Sequence, residues 1–485
     1  MASVISRTLK GGAGFFIANV VSRGFGFAFV FVASRVLGPG DFGVLALGLS
    51  VMGIARRFAA FGLPNTIPRF LSGEGEENAE RLYGTILFIG GLTALAVGLT
   101  LFGTAPWVAL SFGEETLISP LRVLSVAIVV GVGYQLLQAV LEAQERAWQV
   151  AGAQSIRSVT KVGLLLPFFL WSQTATSAAW AVVGGFVLGT LWEGRQVLRL
   201  QFRPLLSIQW SQIRRIVGYS APLMIVGFSY FLGQQADRLM LGWLGNSTSV
   251  GTYTVASKLA MAVGAVQGAL YSIFKPIASQ GYRNKSDRRV QEAYLFISRW
   301  IALINGVVLL VFVAVGPLIL HIFGSGYSTK STFHVLVVLS SFYFLAGWVG
   351  PTGPLLQMSD GHKAEFYNTL IFIVSNISLN YMLIPWYGSI GAAWATLISS
   401  GARNVLQVSE CIYWFGIEPH KKGKLWILGI VLVSGLVSVS IASNILKVST
   451  AVFGIVLLIL SVLVTRTEEE VNMYRKVVAS RIPVC

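Results

Sequence analysis

Residues 37–50 read LGPGDFGVLALGLS, and residues 244–260 read LGNSTSVGTYTVASKLA. Each stretch has a Leu-Gly, a short polar turn, and then a glycine, Gly43 or Gly251, that opens an apolar helix. The agreement continues downstream, where Pro68 follows Gly43 by 25 residues and Pro276 follows Gly251 by 25. Farther on, LPFFLWSQTATSAAWA (166–181) is matched by IPWYGSIGAAWA (384–395), a proline-ended helix, a turn and then Ala-Ala-Trp-Ala at 178–181 and 392–395. Echoes that recur in the same order describe two copies of one supersecondary unit.

What kind of unit this is follows from composition. The chain has 485 residues, of which 54% are hydrophobic and 12% charged, with a mean hydropathy of +0.71. A soluble protein of this length covers its core with more charge, so the chain reads as an all-α polytopic membrane protein. Span-length apolar windows fall at about 11–34, 42–63, 82–103, 118–140, 156–172, 177–194, 216–234, 250–274, 300–322, 332–356, 366–386, 389–409, 425–442 and 448–465, about fourteen transmembrane helices. The first follows Arg7 and Lys10 as in a signal peptide, but it is too long and lacks a small-residue cleavage site, so it is read as a retained span. Six spans per copy return the chain to the same side, so the copies are parallel, related by an axis along the membrane normal. The expected organisation is a six-helix lobe over 1–204, a second over 205–415, and helices thirteen and fourteen with a tail over 416–485.

The net charge of +16 is then a matter of topology. With both termini cytoplasmic, 26 of the 36 Lys and Arg residues fall on the inner side, Arg157 and Lys161 among them, and five fall outside. This is the positive-inside distribution. It leaves no basic surface set aside for nucleic acid. The two cysteines, Cys411 and Cys485, have no disulfide or metal spacing, and no two of the four histidines stand at ligand spacing. No phosphate-cradling Gly-rich Lys motif or nucleophile elbow occurs, and no connection is long enough for a soluble catalytic domain, so no catalytic residue, metal or cofactor is expected.

The cations inside spans need a different explanation. At 1.5 Å per residue, Arg23 lies about 18 Å from the inner end of helix one, Arg56 and Arg57 about 21 Å down helix two, and Lys258 about 12 Å below the outer end of helix eight. Each costs about 2.5–3.5 kcal/mol if it faces lipid. Helix one has no acidic residue, and the nearest acids, Asp41, Glu142, Glu193 and Asp237, stand near helix ends. A cationic cavity with few counter-charges is a site for an anion, so Arg23, Arg56, Arg57 and Lys258 are the substrate-binding candidates. Arg35 and Arg238 are candidates at the outer mouth. The glycines within spans, Gly24 and Gly26 included, are read as close-packing positions, and Pro68, Pro167, Pro276 and Pro385 as helix ends.

At SRGFGF (22–27), ASRVLGPGDFG (33–43) and the turn-glycine repeat at 244–251, the chain resembles the polysaccharide-unit flippases of the multidrug, oligosaccharidyl-lipid and polysaccharide exporter superfamily. The likeness spans essentially the whole chain in helix count and order. It implies a V-shaped molecule of two six-helix lobes that carries a lipid-linked oligosaccharide from the inner to the outer leaflet by alternating access. By the same likeness Arg23 contacts the phosphate or diphosphate, with Arg56 and Arg57 as helix-two candidates, and the last two helices flank a lipid-tail groove. Two positions depart from symmetry: Tyr230 stands where the second repeat places the counterpart of Arg23, and Ser50 where the first places that of Lys258. The implied partners are a polyprenyl- or dolichyl-phosphate-linked glycan, the bilayer, and glycosyltransferases with an oligosaccharyltransferase or polymerase of one pathway. The implied setting is a prokaryotic plasma membrane, serving surface polysaccharide or envelope glycoproteins such as an S-layer. Two alternatives stay open: an ion-coupled multidrug exporter of the same superfamily, and a membrane glycosyltransferase or ligase.

Overall fold

The computed structural model describes residues 2–71, 76–200, 209–283, 287–416, 422–440 and 444–464. Arg203, Lys285, Lys421, Arg466, Arg475, Lys476 and Arg481 of the topology count, and Cys485, lie outside these segments. Among the described residues the regular structure is helical and includes no strand.

Helix α1 (Ala2–Ala59) is interrupted at Gly38, where φ of 72° and ψ of 177° separate two helices. A tight turn with positive φ at Phe61 and Gly62 leads into α2 (Leu63–Leu71). The chain continues through α3 (Glu76–Ser111), α4 (Ile118–Ala143), α5 (Ala147–Trp171), α6 (Ala175–Leu198) and α7 (Trp210–Leu244). One crossing is broken into α8 (Ser247–Ala260) and α9 (Ala265–Arg283), and is followed by α10 (Asp287–Phe323). Another is broken into α11 (Lys330–Val349) and α12 (Thr352–Gln357). Helix α13 (His362–Phe415) is interrupted at Gly388, and α14 (Lys422–Ser440) and α15 (Asn444–Val464) complete the chain. A crossing takes about 20 residues, so the 50 residues Val21–Phe70 and the 54 residues His362–Phe415 each supply two. The chain is thus an all-α polytopic membrane protein of about fourteen spans.

The prolines correct the sequence reading. All four lie inside helices: Pro68 in α2, Pro167 in α5, Pro276 in α9 and Pro385 in α13. Pro167 stands in the last turn of α5, and Pro385 three residues before the interruption at Gly388, so these two do mark an approaching end. Pro276 is in mid-helix.

The chain divides into two compact units. The first holds Met1–Val255 with His321–Tyr327 and Asn380–Ala392. Within it α5 lies against α1 and α6, and α4 against α3 and α6. Small residues set these approaches: a β-carbon on Gly185 would come within 2.8 Å of the Arg157 carbonyl oxygen. Hydroxyls tie the helices, Ser22 to Ser158 at 2.9 Å, Thr93 to the Ala59 carbonyl at 2.7 Å, and Thr66 to Ser220 at 2.9 Å. Gly24 and Gly26 do not pack: a β-carbon on either would meet no atom within 4 Å.

In the second unit Phe274, Tyr294, Ile301, Leu355, Leu356 and Cys411 form one buried cluster. Tyr271 and Tyr294 donate to the carbonyls of Gly350 and Val349, at 2.8 and 2.7 Å, satisfying backbone acceptors freed where α11 gives way to α12. A second cluster, including Leu310, Phe344, Ile427, Val431 and Leu458, fastens α14 and α15 to α10 and α11.

The outer face of α3 is apolar. On α3, Phe88, Leu92, Leu95, Leu99 and Phe102 recur at helical spacing and are 42–69% exposed. A continuous exposed stripe of this kind belongs in hydrocarbon.

Candidate functional site

The polar interior of the first unit starts from one stripe on α5. Gln154, Arg157, Ser158 and Lys161 stand at i, i+3, i+4 and i+7, on one face of the helix. Ser158 holds that face to Ser22 of α1. Lys161 Nζ sits 4.2 Å from the centre of the Phe29 ring. The Arg157 guanidinium lies over Tyr134 at 5.1 Å and over Phe186 at 5.2 Å, and Arg56 arrives on the same Phe186 ring at 5.3 Å. Aromatic faces attract cations by about 0.5–2 kcal/mol each, which helps hold two guanidiniums on one ring. Glycines make the room: a β-carbon on Gly131 would come within 2.8 Å of Arg56 Cδ, and one on Gly189 within 3.3 Å of Arg157 Cβ.

Glu193 on α6 is the acid enclosed in the first unit. Its side chain is fully buried, and neither carboxylate oxygen has a hydrogen-bond partner among the described residues.

Arg57 turns the other way from Arg56. Its guanidinium lies 5.3 Å over Phe231, and it lines a cavity of about 240 Å³ with Asn65, Gln135, Gln138, Glu142 and Phe228. Gln138 Nε2 donates to Glu142 Oε1 at 2.6 Å.

Arg23 lies on the uninterrupted first half of α1, more than a third exposed, with no ion pair or hydrogen bond among the described residues. Arg35 donates to the Ile322 carbonyl, and Arg238 to Gln235 Oε1 at 2.9 Å. Ser50 donates to the same Gln235 oxygen at 3.0 Å. Asp237 accepts from Tyr253 and, at 2.8 Å, from Asn380. Lys258 belongs to the second unit, where it is half-buried and already engaged by a neighbour. The side chain of Tyr230 lies outside the described set. Among the described residues no group of His, Cys, Asp and Glu has a metal-holding arrangement.

The structure thus brings Arg56 together with Arg157, and sets Lys161 over Phe29 on the same face of α5, although the cation count places both α5 residues on the cytoplasmic side. Helix α5 begins at Ala147 rather than near 156, so Arg157 is about 15 Å along it. The i, i+3, i+4, i+7 stripe was the signal available for this. Glu193 was expected near a helix end; α6 runs on to Leu198, and the carboxylate is enclosed. Gln135, Gln138 and Glu142 carry a similar signal on α4, at i, i+3 and i+7.

Helical architecture of span length, with arginine, lysine and glutamate side chains drawn into the interior, describes a polytopic membrane protein. In fold it is similar to an inward-facing multidrug resistance MATE family transporter of the MOP superfamily, with a TM-score of 0.70 at 16% identity over 81% of this chain and 94% of that one. It is equally similar to the lipid II flippase MurJ in an inward closed conformation, with a TM-score of 0.70 at 14% identity over 96% of this chain and 99% of that one. In sequence it is 24% identical, over 81% of this chain and 80% of the relative, to a probable low-salt glycan biosynthesis flippase, Agl15, of Haloferax volcanii. The family described as polysaccharide biosynthesis protein matches residues 8–281, more than half of the chain, and the chain belongs to that family.

Proposed function

We propose that the protein is a flippase that moves a phosphate- or diphosphate-linked lipid oligosaccharide from the inner to the outer leaflet by alternating access. The observation that carries the site is Arg23, an exposed guanidinium well inside a membrane helix without an acidic partner among the described residues. A glycan phosphate cannot cross hydrocarbon bare, and a guanidinium fork replaces the water on its anion. Arg23 is the primary phosphate contact, with Arg56 and Lys258 as further cations of the path and Arg35 and Arg238 at its outer mouth. The 1–204 and 205–415 segments act as the two moving lobes, and 416–485 borders the lipid tail. No bond is made or broken, so transport needs only a change in which side is open.

The protein works in a prokaryotic plasma membrane with both termini cytoplasmic, downstream of glycosyltransferases and upstream of an oligosaccharyltransferase or polymerase. The name of the Haloferax relative supports this reading over a drug exporter, since the MATE likeness is one of fold alone. Deleting the gene tests it. Mass spectrometry of the lipid pool should find the lipid-linked glycan fully assembled while surface glycan disappears. Loss of the precursor itself would indicate a biosynthetic enzyme, and unchanged surface glycan would end the flippase reading.

A further inference from the structure

The cavity beside Arg57 has a chemistry different from the phosphate contact at Arg23. Its walls come from the end of α1, from α2, α4 and α7, all within the first unit. Arg57 and Glu142 are the one basic and the one acidic residue among its lining residues, so their formal charges cancel and leave no excess of cations to draw a phosphate. What it does carry is a high density of planar hydrogen-bonding groups: the amides of Asn65, Gln135 and Gln138 beside the guanidinium and the carboxylate. The amides both donate and accept, the guanidinium donates and the carboxylate accepts, the mixture that vicinal hydroxyls require. The 2.6 Å bond from Gln138 to Glu142 uses one amide hydrogen and one carboxylate oxygen, which leaves the Gln138 carbonyl and the second carboxylate oxygen as acceptors. Phe228 supplies an aromatic wall for the C–H face of a ring. At about 240 Å³ the cavity is smaller than sites for drug-sized ligands and takes one ring rather than an oligosaccharide.

We propose that Arg57, Asn65, Gln135, Gln138, Glu142 and Phe228 form a monosaccharide subsite that holds one uncharged sugar residue of the glycan. It rests on the flippase reading for its role, and it reassigns Arg57 from phosphate to sugar.

The test uses the full-length chain in nanodiscs with Cys411→Ser, Cys485→Ser and Leu223→Cys, which places one thiol on the apolar wall of the cavity. The rate of its alkylation by N-ethylmaleimide is measured with saturating methyl glycosides of glucose, mannose and N-acetylglucosamine, and separately with inorganic pyrophosphate. At least one glycoside should slow alkylation several-fold, and pyrophosphate should not. Adding Gln138→Leu should abolish the protection while leaving the melting temperature within a few degrees. Protection by pyrophosphate alone would make the cavity an anion site, and protection by no probe would remove the subsite; either overturns the proposal. The gene-deletion experiment judges the flippase reading separately. Stranded glycan without glycoside protection sinks only the subsite, and glycoside protection with surface glycan unaffected by deletion sinks only the transport role.

Discussion

Gly43 and Gly251 pack backbone to backbone: a β-carbon on Gly43 would fall 1.7 Å from the Ser247 carbonyl oxygen, and one on Gly251 would fall 2.0 Å from the Pro39 carbonyl oxygen. The contact is reciprocal, because Pro39 precedes Gly43 by four residues and Ser247 precedes Gly251 by four. Two equivalent surfaces that meet in this way define a local two-fold axis. The two copies of the repeated motif therefore meet within the first unit, and glycine is required on both sides because the neighbouring group is main chain.

Gly43→Ala and Gly251→Ala should each destabilise the protein by about 1–3 kcal/mol or more, since backbone cannot rotate away as a side chain does. The double variant should cost less than the sum, because the first substitution already separates the helices. Thermal melting in nanodiscs reads both effects. Gly24→Ala and Gly26→Ala, which face open space, should leave stability unchanged or raise it by up to about 1 kcal/mol. Equal melting temperatures for the Gly43 and Gly24 variants would contradict the backbone contact.

Arg157 and Glu193 supply a second prediction. Arg157 stacks on Tyr134 and Phe186, and Glu193 is fully buried with no hydrogen-bond partner among the described residues, so removing Arg157 strips two aromatic contacts and the nearby positive charge from that interior. Arg157→Ala should therefore fall sharply in membrane abundance, while Glu193→Gln, which removes the charge and keeps the shape, should be milder. Arg157→Ala with Glu193→Gln should recover much of the lost protein. If the double variant is as scarce as Arg157→Ala alone, the pair is not coupled.

How far this interior could be read from the sequence depended on length scale. The spans and the repeat follow from hydropathy and spacing, which act over many residues, whereas the meeting of Gly43 with Gly251 does not. The position of Arg157 did not follow, because polar residues at the start of α5 resemble a loop until Gln154, Arg157, Ser158 and Lys161 are placed on one helical face. The divergence of Arg56 and Arg57 was hidden for a different reason. Neighbours in sequence sit about 100° apart on a helix, and only the positions of Phe186 and Phe231 decide which ring each reaches. The sugar-sized cavity needed α1, α2, α4 and α7 in place together, a relation no single segment encodes.

Orientation in the membrane is the third prediction. On the positive-inside rule the 35–41 and 239–250 junctions are expected outside and the 203–215 and 281–292 connections inside. In intact cells a membrane-impermeant maleimide should label Ser247→Cys and leave Lys285→Cys unlabelled until the membrane is opened. The reverse pattern would invert the topology and, with it, the direction of transport.

Arg23 separates the transport reading from a structural one. If it binds the phosphate, Arg23→Ala should abolish glycan export at normal protein level, since no described residue loses a partner when it goes. Arg23→Lys should keep only part of the activity, because a bidentate guanidinium fork becomes a point charge that meets one oxygen at a time. If Arg23 instead held the fold together, Arg23→Ala would vanish from the membrane, and loss of export would only follow loss of protein. Measuring surface glycan against protein level in the same cells distinguishes these cases, and a well-expressed Arg23→Ala variant with full export would remove Arg23 from the substrate path.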